Sequence, residues 1–181
     1  MTFWKSFFQE NKKNNTKNIF HNDIIIEKKN ILIIEKLKSG DKIFDIYLNI
    51  NSNINLHDLE KLCNSVGWVK RPIKKVKIAL NNSFLNASLF YYHNNNKKLI
   101  GFARVTSDQS FNATIWDVVI DPKFQKMGLG SILINQVIKE LRYYDISTIT
   151  LFADPDVVPF YQHLGFIVDP DGVKGMFWYP L

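Results

Sequence analysis

The sequence predicts a single α/β domain: a mixed, mostly antiparallel central sheet flanked by about four helices. Three observations predict it. A strand-like run from Ala113 to Ile120 stops at Asp121-Pro122 and passes through the loop Gln125-Lys126-Met127-Gly128-Leu129-Gly130 into a helix-spaced segment ending near Tyr143. Two further strand-like runs, Ser83 to Tyr92 and Leu99 to Thr106, are separated by the polar turn His93-Asn94-Asn95-Asn96-Lys97, which reads as an antiparallel hairpin. The chain has 181 residues, 46% hydrophobic and 14% aromatic, enough to bury one sizeable core.

Residues 1–30 differ from the rest in being dense in Asn and Lys, with little to bury, and read as an extension preceding one domain over 31–181. Phe3, Trp4, Phe7 and Phe8 fall on one helical face there. Such a face can touch a membrane surface or another subunit, or tuck onto its own core. Ile31 to Leu37 is a short apolar run, and Lys42 to Ile50 reads as a strand. Leu56, Leu59, Leu62/Cys63 and Val66 keep helical spacing, with Asn55 as N-cap and Gly67 as stop. Ile73, Val76, Lys77 and Leu80 mark a second helix after Pro72, a residue suited to a first turn.

Asp108 to Asn112 turns the chain into the central strand. In the third helix, Leu133/Ile134, Val137/Ile138 and Leu141 recur at helical spacing, and Arg142 suits the negative end of its dipole. A strand from Ser147 to Ala153 follows, then a helix from Pro155 to Leu164 ended by Gly165. Phe166 to Val168 and Lys174 to Tyr179 read as strands closing the sheet around the turn Asp169-Pro170-Asp171-Gly172.

Composition narrows the function classes. A net charge of +6 favours anionic partners without choosing among them. One cysteine, Cys63, rules out an intrachain disulfide, and with four scattered histidines it offers no zinc set, so no metal is expected. No apolar run reaches the ~20 residues of a spanning helix, and no secretory signal is visible. Lys28-Lys29 and Lys74-Lys75 are short basic pairs, not a stripe with interleaved aromatics, so no nucleic-acid partner is expected.

The glycine loop carries the chemistry. The first turn of a helix leaves main-chain N–H groups without internal partners and with partial positive charge, so an anion can dock there. Gly128 and Gly130 allow close approach of a pyrophosphate. The common phosphate loops do not fit: no Lys-Ser/Thr follows the second glycine, and Leu133 stands where a dinucleotide fingerprint has its third glycine.

Gln125-x-x-Gly128-x-Gly130 directly after Val118-Val119-Ile120-Asp121-Pro122 resembles the acetyl-coenzyme A loop of the GCN5-related N-acetyltransferase superfamily. Phe160-Tyr161-Gln162-His163-Leu164-Gly165-Phe166 resembles that superfamily's Phe-Tyr-x-x-x-Gly-Phe ending. The segments Gly101 to Asp108, Ala113 to Val119 and Gly172 to Pro180 resemble its chloroplast branch, which includes plant plastid protein acetyltransferases, some also described as serotonin N-acetyltransferases, and plastid-encoded algal relatives. The resemblance runs from about Leu56 to Leu181.

It implies a fold in which the central strand bulges and splays from its neighbour, leaving a slot for the pantetheine arm. The function it implies is direct transfer of acetyl from acetyl-coenzyme A to a primary amine through a ternary complex. Val118, Val119 and Ile120 would pair with the pantetheine arm, the Val119 N–H would polarise the thioester oxygen, and Lys126 to Ser131, with Met127, Gly128, Leu129 and Gly130, would wrap the pyrophosphate. Gln125 belongs to the same coenzyme-binding set, and Asp154 occupies a position where relatives carry a pantetheine-contacting asparagine. Lys126 stands where glycine is frequent; it either adds charge to the phosphates or points to solvent.

Tyr161 sits where the family places the general acid that protonates the departing thiolate; the alternative is a packed helix tyrosine. Asp117 is the best-placed carboxylate to take the amine's proton, and its alternative role is to anchor a strand edge. Arg104 and Trp116 are candidates to line the acceptor side, although a strand tryptophan also serves a core. The acceptor implied is a protein lysine or N-terminal amine, with serotonin-like arylalkylamines as the alternative. A domain that binds acetyl-coenzyme A or a partner without turnover is the reading of another class. A homo-oligomer is compatible with the sequence. Resemblance and residue usage place the chain in a plastid stroma, encoded in the plastid genome, with a bacterial cytoplasm as the alternative.

Overall fold

The computed structural model of the chain describes residues 30–178. The Asn/Lys-rich extension with its aromatic face, and Tyr179 at the end of the expected last strand, lie outside the described residues. Two compact units adjoin in sequence at Phe152 and Ala153, and each is described in its own terms.

The larger unit holds a six-stranded sheet of β1 (Ile31–Ser39), β2 (Lys42–Ile50), β3 (Leu85–His93), β4 (Asn96–Ser107), β5 (Asn112–Ile120) and β6 (Thr148–Leu151), adjacent in that order. β1 to β5 pair antiparallel, and β6 joins β5 in parallel. A parallel neighbour needs a crossover connection, and α3 (Leu129–Tyr143) supplies it. Helices α1 (Leu56–Ser65) and α2 (Ile73–Asn81) lie between β2 and β3.

The early apolar run is a full edge strand, not an isolated segment, and its register with β2 shifts twice, near Leu32/Ile34 and Ile34/Leu37. Lys36 takes positive φ there, and its N–H donates to the Asp45 carboxylate at 2.9 Å. Lysines and irregular register on an edge discourage pairing with other chains. The β3–β4 turn contracts to Asn94-Asn95, both at positive φ, the conformation a two-residue hairpin loop requires.

Asn55 caps α1 as its spacing predicts, its side-chain oxygen accepting from the N–H groups of His57 and Asp58. Pro72 stands at the N-cap of α2, one place before the first helical residue. α1 buries Leu59, Leu62 and Cys63 against Phe102 and Val119. Strand alternation turns Ala103, Val105, Ala113 and Ile115 to the other face, where α3 packs with Leu129, Leu133, Ile134, Val137 and Leu141 buried. The sheet is thus a wall between two helical layers, and it fixes where β5 ends.

The second unit contains a 3-10 turn Pro155–Val157, α4 (Val158–His163) and a 3-10 turn Pro170–Gly172. Gly165 ends α4 at positive φ, with the N–H groups of Leu164 and Phe166 both donating to the Tyr161 carbonyl. The expected closing strands do not form among the described residues: 166–168 and 173–178 stand outside any ladder. Asp169, Asp171 and Gly172 all take positive φ around Pro170, where a 3-10 turn is closed by the Gly172 N–H on the Asp169 carbonyl and the Val173 N–H on the Pro170 carbonyl, and the Lys174 ammonium meets the Asp169 carboxylate.

Candidate active site

β5 carries an extra residue relative to β4. Arg104 pairs with Trp116 and Phe102 with Val119, so Ala103 alone faces both Asp117 and Val118. Asp117 absorbs the bulge at φ 54°, a left-handed conformation that aspartate tolerates better than β-branched residues do. The consequence is geometric: Trp116 and Val119 are an odd number of residues apart, yet both face the α1 side of the sheet.

The two parallel strands also part. β5–β6 pairing runs from Asn112/Thr148 to Ile115/Leu151 and stops, while β5 continues on β4 as far as Ile120. From Trp116 onward β5 therefore has a main-chain edge without a β6 partner. The Asp121 N–H donates to the Ile100 carbonyl, so by alternation Val119 faces β4, whereas Val118 and Ile120 face the parted edge. The Ile120 carbonyl is taken by the Gln125 amide at 3.0 Å. The open main-chain donor nearest the bulge thus belongs to Val118, not to Val119, because the bulge shifts the phase of the alternation.

The loop after β5 is shaped by its own residues. Asp121 accepts from the Lys123 N–H, closing a 3-10 turn over Pro122–Phe124, and Phe124 is buried. Lys126 and Gly128 both take positive φ, at 61° and 80°. A Cβ on Gly128 would meet nothing within 4 Å, so glycine is needed for its backbone angle and the space above it is open. The first helical bond of α3 runs from the Ile132 N–H to the Gly128 carbonyl. The N–H groups of Leu129, Gly130 and Ser131 precede that ladder and lie at the positive end of the helix dipole, the donor set an anion requires.

Beside the bulge lies an ion cluster that connects distant segments. The Asp117 carboxylate accepts from Arg71 Nη1 at 2.9 Å and from Arg104 Nε at 2.8 Å, one guanidinium on each oxygen. Arg71 comes from the loop between α1 and α2, and its Nη2 lies 3.9 Å from the Cys63 sulfur. Burial pushes the Cys63 thiol up, against the opposing pull of Arg71, so it stays protonated and is a poor nucleophile. On the same face the Trp116 indole N–H donates to Thr106 Oγ1 at 2.9 Å, and its ring lies 5.5 Å from Phe152. Sequence reasoning did not select Arg71; a single arginine amid lysines was its only signal.

In the second unit, Tyr161 lies against Phe160 at 4.9 Å and Phe166 at 5.9 Å between ring centroids. Burial raises its phenol above the usual tyrosine range, and the nearby Asp154 charge adds to the rise. Asp154 itself begins the 3-10 turn, its carbonyl accepting from the Val157 N–H. Among the described residues no group of three or more His, Cys, Asp or Glu is arranged to hold a metal, and no helix is long and apolar enough to cross a membrane.

Known proteins resemble this chain in sequence and in fold. Residues 54–166 match the model of the acetyltransferase (GNAT) family. An uncharacterized N-acetyltransferase of Gracilaria tenuistipitata var. liui is 63% identical over 183 residues, covering 100% of both chains. A histone acetyltransferase of Glycine max is 42% identical over 98% of this chain and 83% of its own, and a chloroplastic GCN5-related N-acetyltransferase of Arabidopsis thaliana is 43% identical over 82% and 64%. Among solved structures, a GNAT family acetyltransferase of Streptococcus pneumoniae matches 75% of this chain and 98% of its own at TM-score 0.62 and 21% identity. An acetyltransferase of Trypanosoma brucei matches 76% and 100% at TM-score 0.60 and 19% identity, so these two speak to the fold.

Proposed function

This chain belongs to the acetyltransferase (GNAT) family, and on that premise we propose that it transfers acetyl from acetyl-coenzyme A directly to a primary amine of a protein, a lysine side chain or an N-terminal amine. The observation that carries the reading is the parted edge of β5: a strand that outruns its parallel neighbour and leads straight into a helix start with open N–H groups. A flexible polar arm can pair with the first while a pyrophosphate docks at the second. Val118, rather than Val119, is assigned the N–H that polarises the thioester oxygen, since its amide faces the open side. Gln125 positions the end of the strand through the Ile120 carbonyl. Lys126, Met127, Gly128, Leu129, Gly130 and Ser131 are assigned to the pyrophosphate, and Asp154 to the pantetheine arm.

The amine must be neutral when its nitrogen attacks the thioester carbon. The C–N bond forms, the C–S bond breaks, the nitrogen's proton leaves to water, and the coenzyme sulfur takes a proton from the Tyr161 hydroxyl. A phenol held above its ordinary pKa near ~10 is fully protonated at neutral pH, as a donor must be. Asp117 is better assigned to anchoring than to the base, because each of its oxygens already accepts from a guanidinium. Cys63, buried and protonated, supports transfer without an acyl-enzyme.

A second acceptor class has one observation in its favour. Trp116 and Phe152 form a partly exposed aromatic pair beside the bulge, at 36% and 56% of full exposure, on which an arylalkylamine ring could stack. For localisation we propose a plastid, on the strength of the 43% identity to the chloroplastic relative over 82% of this chain. The test is acetyl-coenzyme A-dependent thiol release with a panel of protein N-terminal peptides, lysine peptides and arylalkylamines, with products identified by mass spectrometry. Acetylated peptide is the expected product. No release across the panel, together with no heat on titration with acetyl-coenzyme A, would overturn the reading.

A further inference from the structure

The segment from Lys70 to Lys77 reads Lys-Arg-Pro-Ile-Lys-Lys-Val-Lys, five cations in eight residues. Its charges are unevenly matched. Lys70 reaches Glu60 at 3.2 Å and Arg71 reaches Asp117 at 2.9 Å. Lys74, Lys75 and Lys77 have no carboxylate partner among the described residues, and all three are exposed. Asp58, the remaining acidic group on α1, lies 4.0 Å from Lys61 and leaves the surplus on α2 uncancelled.

Packing explains the orientation. α2 turns Ile73, Val76, Ala79 and Leu80 inward, and Val76 and Leu80 pack on the α1 cluster, so the intervening lysines project to solvent. A charged helix face of this kind is often only solvated. Here it has a second property, because Arg71, within the same run, is hydrogen-bonded to the bulge residue Asp117. The bulge that separates Val118 from Val119 and the unpaired positive charge are therefore two ends of one connected element.

We propose that this segment docks an acidic stretch of the acceptor protein, holding its amine-bearing residue beside the bulge; the assignment deepens, and rests on, the amine-acetylation reading above. Opposite charge across the contact favours encounter and excludes lysine-rich acceptors, whose flanking ammonium groups meet Lys74, Lys75 and Lys77. The preferred acceptors are then amines neighboured by Asp and Glu. RNA also carries negative charge, but it offers no aliphatic amine to the bulge, and the face of Trp68 is already approached by the Arg71 guanidinium at 6.0 Å.

The experiment uses the full chain and peptides labelled at their C-termini with fluorescein: one with Asp and Glu around a free amine, one with Ser and Gly, and one rich in Lys. Fluorescence anisotropy at low ionic strength is expected to give at least about tenfold tighter binding of the acidic peptide than of the neutral one, weakening as salt is added. The triple variant Lys74→Gln, Lys75→Gln, Lys77→Gln is expected to lose most of that difference while keeping the wild-type circular dichroism and melting temperature. Equal binding of acidic and neutral peptides overturns the proposal. So does discrimination that survives in the triple variant, and so does a labelled oligouridylate that binds tighter than the acidic peptide and displaces it, which assigns the face to nucleic acid. Thiol release is followed in parallel. Acetylation without charge preference sinks the docking face alone, whereas charge-dependent binding without acetylation of any peptide sinks the catalytic reading alone.

Discussion

Arg71 and Asp117 lie 46 residues apart in sequence and are joined by a 2.9 Å charged hydrogen bond. With Arg104 on the other oxygen, the pair clamps a left-handed residue in the middle of a strand. Ion pairs this well enclosed are costly to break from one side, because the surviving charge is left without water or partner. Asp117 and Arg104 expose only 17% and 15% of their side chains. Asp117→Ala is therefore expected to lower stability by about 2–4 kcal/mol. Asp117→Asn, which tolerates the same backbone angle, should cost less. Urea melts of both variants check this, and equal stability of Asp117→Ala and wild type would remove the clamp.

Tyr161 gives a prediction in rate and in pH. Tyr161→Phe should reduce turnover by about 10²- to 10⁴-fold while leaving the dissociation constant for acetyl-coenzyme A within about twofold. The sign of the pH effect comes from the raised phenol: the donor is present below its pKa and is lost as pH rises through it. The alkaline fall in turnover should thus lie above the ordinary tyrosine value near ~10. Rate profiles extended into that range test it, and an alkaline limb that persists unchanged in Tyr161→Phe assigns the limb elsewhere.

Lys126 holds a backbone conformation that costs a residue with a Cβ about 1–2 kcal/mol. Glycine relieves that strain but adds about 0.5–1 kcal/mol of unfolded-chain entropy, so Lys126→Gly should be neutral to slightly stabilising. Lys126→Ala keeps the strain and removes only the charge. With the ammonium assigned to the pyrophosphate, both variants should weaken acetyl-coenzyme A binding severalfold, and unchanged binding in both would withdraw that assignment. Thermal melts and calorimetric titration of the pair separate backbone from charge.

Gly101 lies where β3, β4 and β5 crowd together. A Cβ there would stand 2.8 Å from Ile120 Cδ1 and 3.1 Å from Leu89 Cβ. Gly101→Ala should push the Ile120 side chain aside and destabilise the fold by about 1–3 kcal/mol. Because Ile120 ends the parted edge of β5, weaker acetyl-coenzyme A binding should accompany the loss. A fully stable variant with unaltered binding would show that the sheet yields there without consequence.

Asp108 offers a check on the turn that feeds β5. Its carboxylate accepts from the N–H groups of Asn112 and Ser110, from the Asn112 side-chain amide and from the Phe111 N–H, which hold its pKa down to about 2. A depressed carboxylate contributes stability above its unfolded value near 3.8, lost as pH falls toward the folded one. Carboxyl-carbon NMR should find Asp108 titrating well below the other aspartates, and an ordinary midpoint would mean the turn is open in solution.

Much of the larger unit is legible in local sequence, because local physics decides it. Asn55 can cap only the helix that begins at Leu56, paired Asn94-Asn95 suit the two positive φ values of a tight hairpin, and Gly128 permits the angle at which α3 starts. Local sequence leaves open which strand edge each run meets. The resemblance points to Val119 as the polarising amide; the extra residue at Asp117 shifts the alternation along β5, so that Val119 faces β4 and the amide on the open side is that of Val118. The segments near Phe166 and Lys174 carry strand-forming residues, yet the chain between them closes as a 3-10 turn over Pro170–Gly172 and neither segment joins a ladder.

By itself, then, the order of residues determined the helices, the hairpin, the glycine turn and the resemblance to acetyl-transferring relatives, each set by spacing within a few positions. Only the tertiary structure decided that Arg71 reaches Asp117, that β5 outruns β6, and that Val118 rather than Val119 presents its amide. The reason is range. Spacing along a chain fixes how a residue sits relative to its near neighbours, whereas register, bulge phase and ion pairing depend on which distant segment the folded sheet brings alongside.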